Sequence, residues 1–147
     1  MPIIVARFEA AGPLITSVFG VSLPRFNALT KASLTVPDLQ PADALIDTGA
    51  SGTCVDPEVI KALGLTPTGT VPVRTPSTGQ GTHPAEQYDV RLIIPGPPGE
   101  APLIIQALPV LCMELKVQGF RALIGRDVLS RCQLTYFGAS TLVTLAY

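Results

Sequence analysis

The chain has 147 residues, which is long enough for one domain with its own hydrophobic core. Its formal net charge is −1 and only 14% of its residues are charged, which excludes the basic stripe of a nucleic-acid-binding protein and an acidic tail. The three cysteines are an odd number and widely spaced, so neither a disulfide framework nor a zinc site is indicated. We therefore expect a single domain over residues 1–147 with reduced thiols, and the 47% hydrophobic content indicates that a partner covers part of its surface.

The first 24 residues are apolar, but their pattern fits neither a signal peptide nor a membrane span. Residues 1–21 include Arg7 and Glu9 and lack a basic start, which argues against a cleaved signal peptide. The uncharged run over residues 10–24 is shorter than the about 20 residues that cross a bilayer. These features favour a cytoplasmic protein with no membrane partner.

Further along, strands are predicted over residues 13–21 and 32–36, with a loop over residues 24–31 between them.

A turn of small residues follows the next predicted strand, over residues 42–47. Asp47 comes directly after Ala44-Leu45-Ile46, so its carboxyl emerges from a buried strand rather than from a solvated face. Gly49 allows backbone conformations that a Cβ would resist, and its amide can approach a neighbouring group closely. An ionisable group in this setting is a candidate catalytic acid. The alternative is an ordinary surface turn, in which Asp and Gly are both favoured.

A short helix is predicted next, over residues 56–64. Asp56 is a capping residue, Pro57 suits the first helical position and Gly64 suits the position after the last.

A hairpin is predicted in the middle of the chain. Residues 71–74 and 88–94 flank a loop over residues 75–82, whose small residues favour a mobile tip. The alternative is an ordinary exposed hairpin. The single histidine, His83, has no partner in the sequence, and a lone His is rarely catalytic. A further apolar strand is predicted over residues 103–111.

The apolar sequence that precedes Asp47 occurs a second time near the end of the chain. Ala122-Leu123-Ile124 repeats Ala44-Leu45-Ile46 and is followed by Gly125. Residues 126–131 then predict a short helix, with Asp127 early and Arg131 late, as the helix dipole favours. The chain therefore contains one supersecondary unit twice.

The C-terminal segment predicts a hairpin of residues 133–137 and 141–147 that is apolar on both faces. A strand that is apolar on both faces must be covered on both. Pairing with a second copy of the chain would cover it and remove an exposed edge. The alternative is packing within its own subunit.

These motifs resemble the retropepsin family of retroviral-type aspartic proteases. That family has an apolar strand entering Asp-Thr-Gly-Ala and, much later, an apolar pair followed by Gly-Arg-Asp or Gly-Arg-Asn, as in Ile124-Gly125-Arg126-Asp127 here. The resemblance covers residues 42–137 and includes a flap over residues 75–82. It implies a mainly β, half-barrel fold with one or two short helices and a two-fold homodimer. The chain departs from the minimal family members by a longer start and a further strand after residue 137.

The chemistry that the resemblance implies requires two carboxyl groups. Hydrolysis of a peptide bond by water needs a base and an acid, and two carboxyls about 3 Å apart that share one proton supply both. Only one Asp-Thr-Gly occurs here, and Gly125 stands at the equivalent place in the second copy. The second carboxyl is therefore expected from Asp47 of a partner in a symmetric homodimer. No metal or organic cofactor is implied.

The resemblance assigns roles by position. Asp47 would be the catalytic carboxylate, Thr48 would brace the two catalytic loops, and Gly49 would present its carbonyl to the substrate. The substrate would also contact residues after the motif and at the flap, namely Ala50, Ser51, Ser77, Thr78, Gly79, Gln80 and Gly81. Structural residues near the site would be Ile124, Gly125 and Arg126. Many retroviral relatives carry an acid where Ser51 stands and pair it with the arginine, so the partner of Arg126 is open.

The expected function is that of an aspartic endopeptidase acting on peptide or protein substrates. The phosphate loop of actin-like kinases has similar residues, but that fold needs two larger lobes than 147 residues allow. A dimeric peptide-binding module that keeps the fold without turnover is the remaining alternative.

Overall fold

The computed structural model describes residues 1–76 and 79–147, and within these it is mainly β. Strands in the first half are β1 (Ile3–Glu9), β2 (Gly12–Val21), β3 (Gln40–Ile46), β4 (Cys54–Val55) and β5 (Gly69–Val73). Strands in the second half are β6 (His83–Ile94), β7 (Leu103–Cys112), β8 (Ala122–Ile124), β9 (Gln133–Phe137) and β10 (Leu142–Ala146). The helices in the described residues are α1 (Leu23–Lys31), α2 (Pro57–Ala62) and α3 (Arg126–Leu129).

Six of these strands close into a barrel. They follow one another in the order β6, β7, β4, β8, β3, β2, and β2 then pairs back to β6 from Val18↔Ile93 to Val21↔Val90. The barrel interior is filled by fully buried apolar side chains, including Phe19, Leu92 and Ile124. Closure leaves the barrel strands with few free edges. The prediction of a mainly β fold is confirmed.

The two copies of Ala-Leu-Ile lie side by side in the barrel. β3 and β8 are parallel, with Ala44 opposite Ala122, Leu45 opposite Leu123 and Ile46 opposite Ile124. Both strands end at the same level, so the turns that follow them are neighbours. The repeated sequence unit is therefore also a structural pair.

A smaller terminal sheet joins the two ends of the chain. β1 runs antiparallel to β10 from Ile3↔Ala146 to Arg7↔Leu142, and β10 pairs with β9, whose other edge is free within the described residues. The β9–β10 hairpin was predicted, whereas strand β1 was not. The outer face of this sheet leaves Val5 62% exposed.

The prediction for the segment between β2 and β3 was wrong. A loop over residues 24–31 and a strand over residues 32–36 were expected, but residues 23–31 form helix α1 and residues 32–39 form no strand. The helix begins after Ser22 with Pro24 in its first turn and Lys31 in its last, which are helix signals. None of its residues is buried, so the apolar periodicity that usually reveals a helix is weak. The guanidinium of Arg91 lies 5.2 Å from the centre of the Phe26 ring and helps to hold the helix.

The remaining predicted elements are present with shifted ends, whereas the short strand β4 was not predicted. Helix α2 begins after Asp56, whose side chain accepts a hydrogen bond from the Glu58 amide. Strand β6 begins at His83, five residues before the predicted strand, and pairs with β5 from Gly69↔Gln87 to Val73↔His83. With α1, the helices outnumber the one or two that were expected.

Among the residues that the structure describes, no helix has the length and apolar character needed to cross a membrane.

Candidate active site

The turn after β3 folds back onto its own carboxyl group. Strand β3 ends at Ile46, and the Gly49 amide donates a hydrogen bond of 2.8 Å to Asp47 Oδ1. The Asp47 amide donates to the Ile124 carbonyl on β8 at 3.0 Å, which ties the turn to the neighbouring strand. A Cβ added at Gly49 would lie 3.1 Å from Asp47 Oδ1. The absence of a side chain at Gly49 therefore keeps the space beside this carboxyl open.

The turn after β8 packs closely against the backbone that follows the Asp47 turn. A Cβ added at Gly125 would lie 2.6 Å from the backbone carbon and oxygen of Gly52. Real Cβ atoms do not approach backbone atoms this closely, so only glycine fits. The predicted position of Gly125 beside the Asp47 turn agrees with this geometry.

Arg126 is bonded to the Asp47 turn itself. Its guanidinium NH1 donates hydrogen bonds to the carbonyls of Thr48 at 2.9 Å and Gly49 at 3.1 Å. Its backbone amide donates to the Ala50 carbonyl at 2.9 Å. The partner left open by the sequence is thus the backbone of the turn. One consequence is that the Gly49 carbonyl, which was expected to face a substrate, already accepts a hydrogen bond from Arg126.

Asp127 and Thr53 form a second link between the two turns, which the sequence interpretation missed. Thr53 is fully buried, and its amide and hydroxyl donate to Asp127 Oδ2 and Oδ1 at 2.9 and 2.8 Å. The Thr53 hydroxyl in turn accepts a hydrogen bond from the Gly125 amide at 3.2 Å. Asp127 is part of the Gly-Arg-Asp motif, but its carboxyl was related only to the helix dipole and not to a bond with Thr53.

Asp47 opens into a cleft of about 920 Å³. Apolar side chains from a small cluster on this side of the barrel line it, together with residues of the hairpin β5–β6. These lining residues are Cys54, Leu111, Met113, Leu115 and Leu123 from the cluster, and Val73, His83, Pro84 and Ala85 from the hairpin strands. A cleft that combines apolar walls with the Asp47 carboxyl is suited to a peptide whose side chains enter apolar pockets.

The cleft contains some of the predicted contact residues and not others. Ala50 and Ser51 line it together with Asp47 and Gly49. Of the expected flap contacts, Gly79, Gln80 and Gly81 lie in an exposed turn and do not line it, while Ser77 and Thr78 lie outside the described residues. Lining residues that were not predicted include Arg74, Glu114 and Gln118. They come from segments whose approach to the turn depends on the barrel.

Cys54 lies next to the Asp47 turn, in an environment that disfavours its thiolate form. Burial, together with the negative charges of Asp127 and Asp47, raises the pKa of its thiol to about 11. Its Sγ lies 3.4 Å from the Met113 sulfur. A thiol in this environment stays protonated at neutral pH and acts as an apolar group of the cleft.

Comparison with known proteins places these features in one family. The family model described as aspartyl protease matches residues 32–128, which include both turns. Among solved structures, the chain is similar to the crystal structure of a retropepsin-like aspartic protease from Rickettsia conorii, with a TM-score of 0.59 and 17% sequence identity. That alignment covers 99% of this chain and 90% of the other. A search of curated proteins gave no match. The structural likeness shows the retropepsin-like fold.

Proposed function

The chain belongs to the aspartyl protease family, and from this membership and the geometry of the cleft we propose that it is a homodimeric aspartic endopeptidase. Asp47 of each protomer contributes one carboxyl to a dyad that activates a water molecule against a peptide bond. The observation that carries the proposal is the Asp47 carboxyl itself, which lines the cleft and is held in a turn that Arg126 fixes by two hydrogen bonds.

Two carboxyls are needed because one cannot act as base and acid at once. In the proposed reaction, the ionised carboxyl removes a proton from the water while the protonated one donates to the carbonyl oxygen of the scissile bond. Two like charges a few ångströms apart resist double ionisation, so the pair keeps one proton between them. The collapse of the tetrahedral intermediate then returns a proton to the leaving amine.

The second carboxyl of the dyad is proposed to come from a partner protomer. The only other acidic side chain among the described residues that line the cleft is Glu114, which is exposed on the segment after β7. The turn after β8, which pairs with the Asp47 turn, has Gly125 instead of an acid. A two-fold axis beside the Asp47 turn would bring a second Asp47 to the first. Thr48, exposed beside that turn, is proposed to bridge the two loops.

The terminal sheet supports the proposed dimer. β9 is an edge strand, and an exposed edge is ready to pair with another chain. Large apolar side chains are exposed on the same sheet, including Ile3, Val5, Tyr136 and Phe137. Burying such residues against a second copy would remove apolar surface from water.

The β5–β6 hairpin is proposed to act as a flap. It lines the cleft through Val73 and His83, the last strand pair before its loop, and the exposed loop includes Gly79, Gln80 and Gly81. A hairpin that closes over an extended peptide excludes water and adds backbone hydrogen bonds. Ala50 and Ser51 at the other side of Asp47 are proposed to contact the same peptide.

The test compares two carboxyl variants in the same cleft. Purified wild-type protein, Asp47→Asn and Glu114→Gln are incubated with a peptide library from acidic to neutral pH, and new termini are identified by mass spectrometry. We expect cleavage by the wild type and Glu114→Gln, and a loss of about 10²-fold to 10⁴-fold in Asp47→Asn, since it lacks the acid–base group. Specific activity should also fall on dilution, because the dyad needs two chains.

A peptide-binding module without turnover predicts a different result. No cleavage at any pH by a wild-type protein that sediments as a dimer and binds peptide would favour that alternative. Equal activity of Asp47→Asn and the wild type would contradict the assignment of Asp47.

A further inference from the structure

One wall of the cleft is an irregular segment between β7 and β8. Residues 113–118, the wall segment, follow β7 and contribute Met113, Glu114, Leu115 and Gln118 to the cleft. They end in a single 3₁₀ turn over Lys116–Gln118. An irregular segment keeps one position only if its backbone amides are bonded elsewhere.

The Met113 amide donates to the Val55 carbonyl on β4 at 3.1 Å, and a buried carboxylate accepts the next two bonds. Asp56 is 1% exposed, and its Oδ2 accepts hydrogen bonds from the Leu115 and Lys116 amides, each at 2.9 Å. Its Oδ1 accepts a hydrogen bond of 3.0 Å from the Glu58 amide and so caps helix α2. The Asp56 amide donates to the Arg121 carbonyl at 2.9 Å, just beyond the wall segment. Asp56 thus fixes the wall segment to the start of α2.

Other contacts of the wall segment contribute less to its position. Lys116 Nζ lies 2.7 Å from Glu58 Oε1, but both side chains are more than half exposed, and such surface ion pairs contribute little. The Leu115 side chain is 3% exposed and packs with Cys54 and Phe120 in the cluster beneath the cleft. Packing has no preferred direction, so the two amide bonds to Asp56, together with the bond of the Met113 amide at the start of the segment, orient the backbone. If Asp56 were lost, these buried donors would have no acceptor, which is costly.

We propose that Asp56 is a positioning residue that holds one wall of the substrate cleft and thereby sets how tightly the peptide binds, without touching it. This inference rests on the proposed protease function. The Asp47 turn is fixed independently, by Arg126 and by the Thr53–Asp127 link. Loosening the wall should therefore weaken substrate binding in the ground state and the transition state alike. Such a change raises KM and leaves kcat nearly unchanged.

The test uses Asp56→Ser, because serine keeps a side-chain oxygen for the Glu58 amide but cannot reach the wall segment. We expect KM to rise about 10-fold while kcat stays within about 3-fold, the pattern of lost uniform binding. Amide hydrogen exchange should accelerate at Leu115 and Lys116 and remain unchanged at Asp47. Glu58→Gln is the matched control, since it breaks only the exposed ion pairs, and it should keep the wild-type KM. If Asp56→Ser fails to fold, Asp56→Asn, which is isosteric, is measured in the same way.

Several results would overturn the inference. If the wild-type enzyme is active and Asp56→Ser has the same KM, the inference is contradicted while the protease assignment stays intact. A fall in kcat at constant KM would also contradict it, because Asp56 would then act on the Asp47 turn. Wild-type protein that neither cleaves nor binds peptides would remove the proposed function and this inference together.

Discussion

Single residues at the candidate site are selected by how closely two backbones approach. Gly125 lies against Gly52, and Gly49 lies against the carboxyl of Asp47. Neither glycine has a positive φ angle, so the requirement is for space rather than for an unusual backbone conformation. This distinguishes them from Gly64 and Gly119, which follow α2 and the wall segment and have φ angles of 60° and 94°.

A methyl group at Gly125 should destabilise the fold. In Gly125→Ala the new Cβ would lie 2.6 Å from Gly52 backbone atoms, which cannot move without displacing the Asp47 turn. Overpacking of this kind costs about 1–3 kcal/mol of unfolding free energy. Urea denaturation measures the loss, with Gly69→Ala as the control, because a Cβ there meets no atom within 4 Å. Equal unfolding midpoints in the two variants would contradict the proposed crowding.

The contribution of Asp56 to stability should disappear in acid. Burial alone raises the pKa of Asp56, but hydrogen bonds from three backbone amides and the charge of Arg121 outweigh it, so the pKa is lowered. A lowered folded-state pKa gives stability that is present above the unfolded pKa, about 3.9, and is lost as the pH falls through the folded value. The nearby charged groups on the packed elements are Glu58, Lys116 and Arg121.

The measurement is the difference in unfolding free energy between wild type and Asp56→Ser at pH 7, 5 and 3. We expect a difference of about 2 kcal/mol or more at pH 7 and 5, from the lost hydrogen bonds to a charged group, and a smaller one at pH 3. The exposed Asp38→Ser should differ little from wild type at any pH. A difference that grows toward pH 3 would contradict the argument.

Among the elements, the parallel pair β3 and β8 brings two chemically different turns together. The first turn carries Asp47, and the second carries Gly125, Arg126 and Asp127, which form hydrogen bonds to the first turn and to Thr53 just after it. Helix α3 begins in that second turn, so its position and that of the Asp47 turn are coupled. The second turn is thus a support for the first.

Removing the Arg126 side chain should reduce turnover. Arg126→Met keeps the aliphatic stem but loses the hydrogen bonds to the Thr48 and Gly49 carbonyls. Hydrogen bonds from a charged donor contribute about 1.5–3 kcal/mol each, so a fall of about 10-fold to 100-fold in kcat is expected. Steady-state kinetics measure it, and the exposed Arg131→Met serves as the control. Unchanged kcat in Arg126→Met would show that the turn keeps its shape without these bonds.

At the scale of the whole molecule, the proposed function gives the terminal sheet and the cleft different roles, namely dimerisation and substrate binding. The closed barrel supports the cleft, whereas β1, β10 and β9 form a sheet that leaves an edge and several large apolar side chains uncovered within the described residues. Apolar surface exposed to water is unfavourable for an isolated chain, and covering it in a dimer would be favourable. If the dyad forms between chains, activity and dimerisation must change together.

A charge on the terminal sheet should weaken the dimer. In Val5→Lys, a residue that is 62% exposed in the single chain would place a charge in the proposed interface. We expect the Kd of the dimer, from sedimentation velocity, to rise by about 10-fold or more, since each 1.4 kcal/mol is a factor of ten. Leu34→Lys, at 60% exposed but on the connection after α1, should leave the Kd unchanged. A dimer of wild-type strength in Val5→Lys would place the interface elsewhere.

The sequence alone determined those features whose signals are local. The apolar strand running into Asp47 and the caps of α2 each lie within about ten residues. The repeat of Ala-Leu-Ile is visible by comparing two short segments, and the pairing of β3 with β8 confirms that they form a pair. The helix α1 was also encoded locally, by Ser22, Pro24 and Lys31, but its lack of buried residues concealed the periodicity. The mainly β fold follows from these local signals together with the frequent turns.

Only the tertiary structure decided which distant groups meet. The pairing of β1 with β10 joins the two ends of the chain, and the bonds of Asp127 to Thr53 and of Asp56 to Leu115 span 74 and 59 residues. No local preference encodes such contacts, because they arise when the closed barrel brings separate turns to one side. The sequence therefore located the carboxyl of Asp47, whereas the folded barrel determined the cleft beside it and the groups that hold its walls.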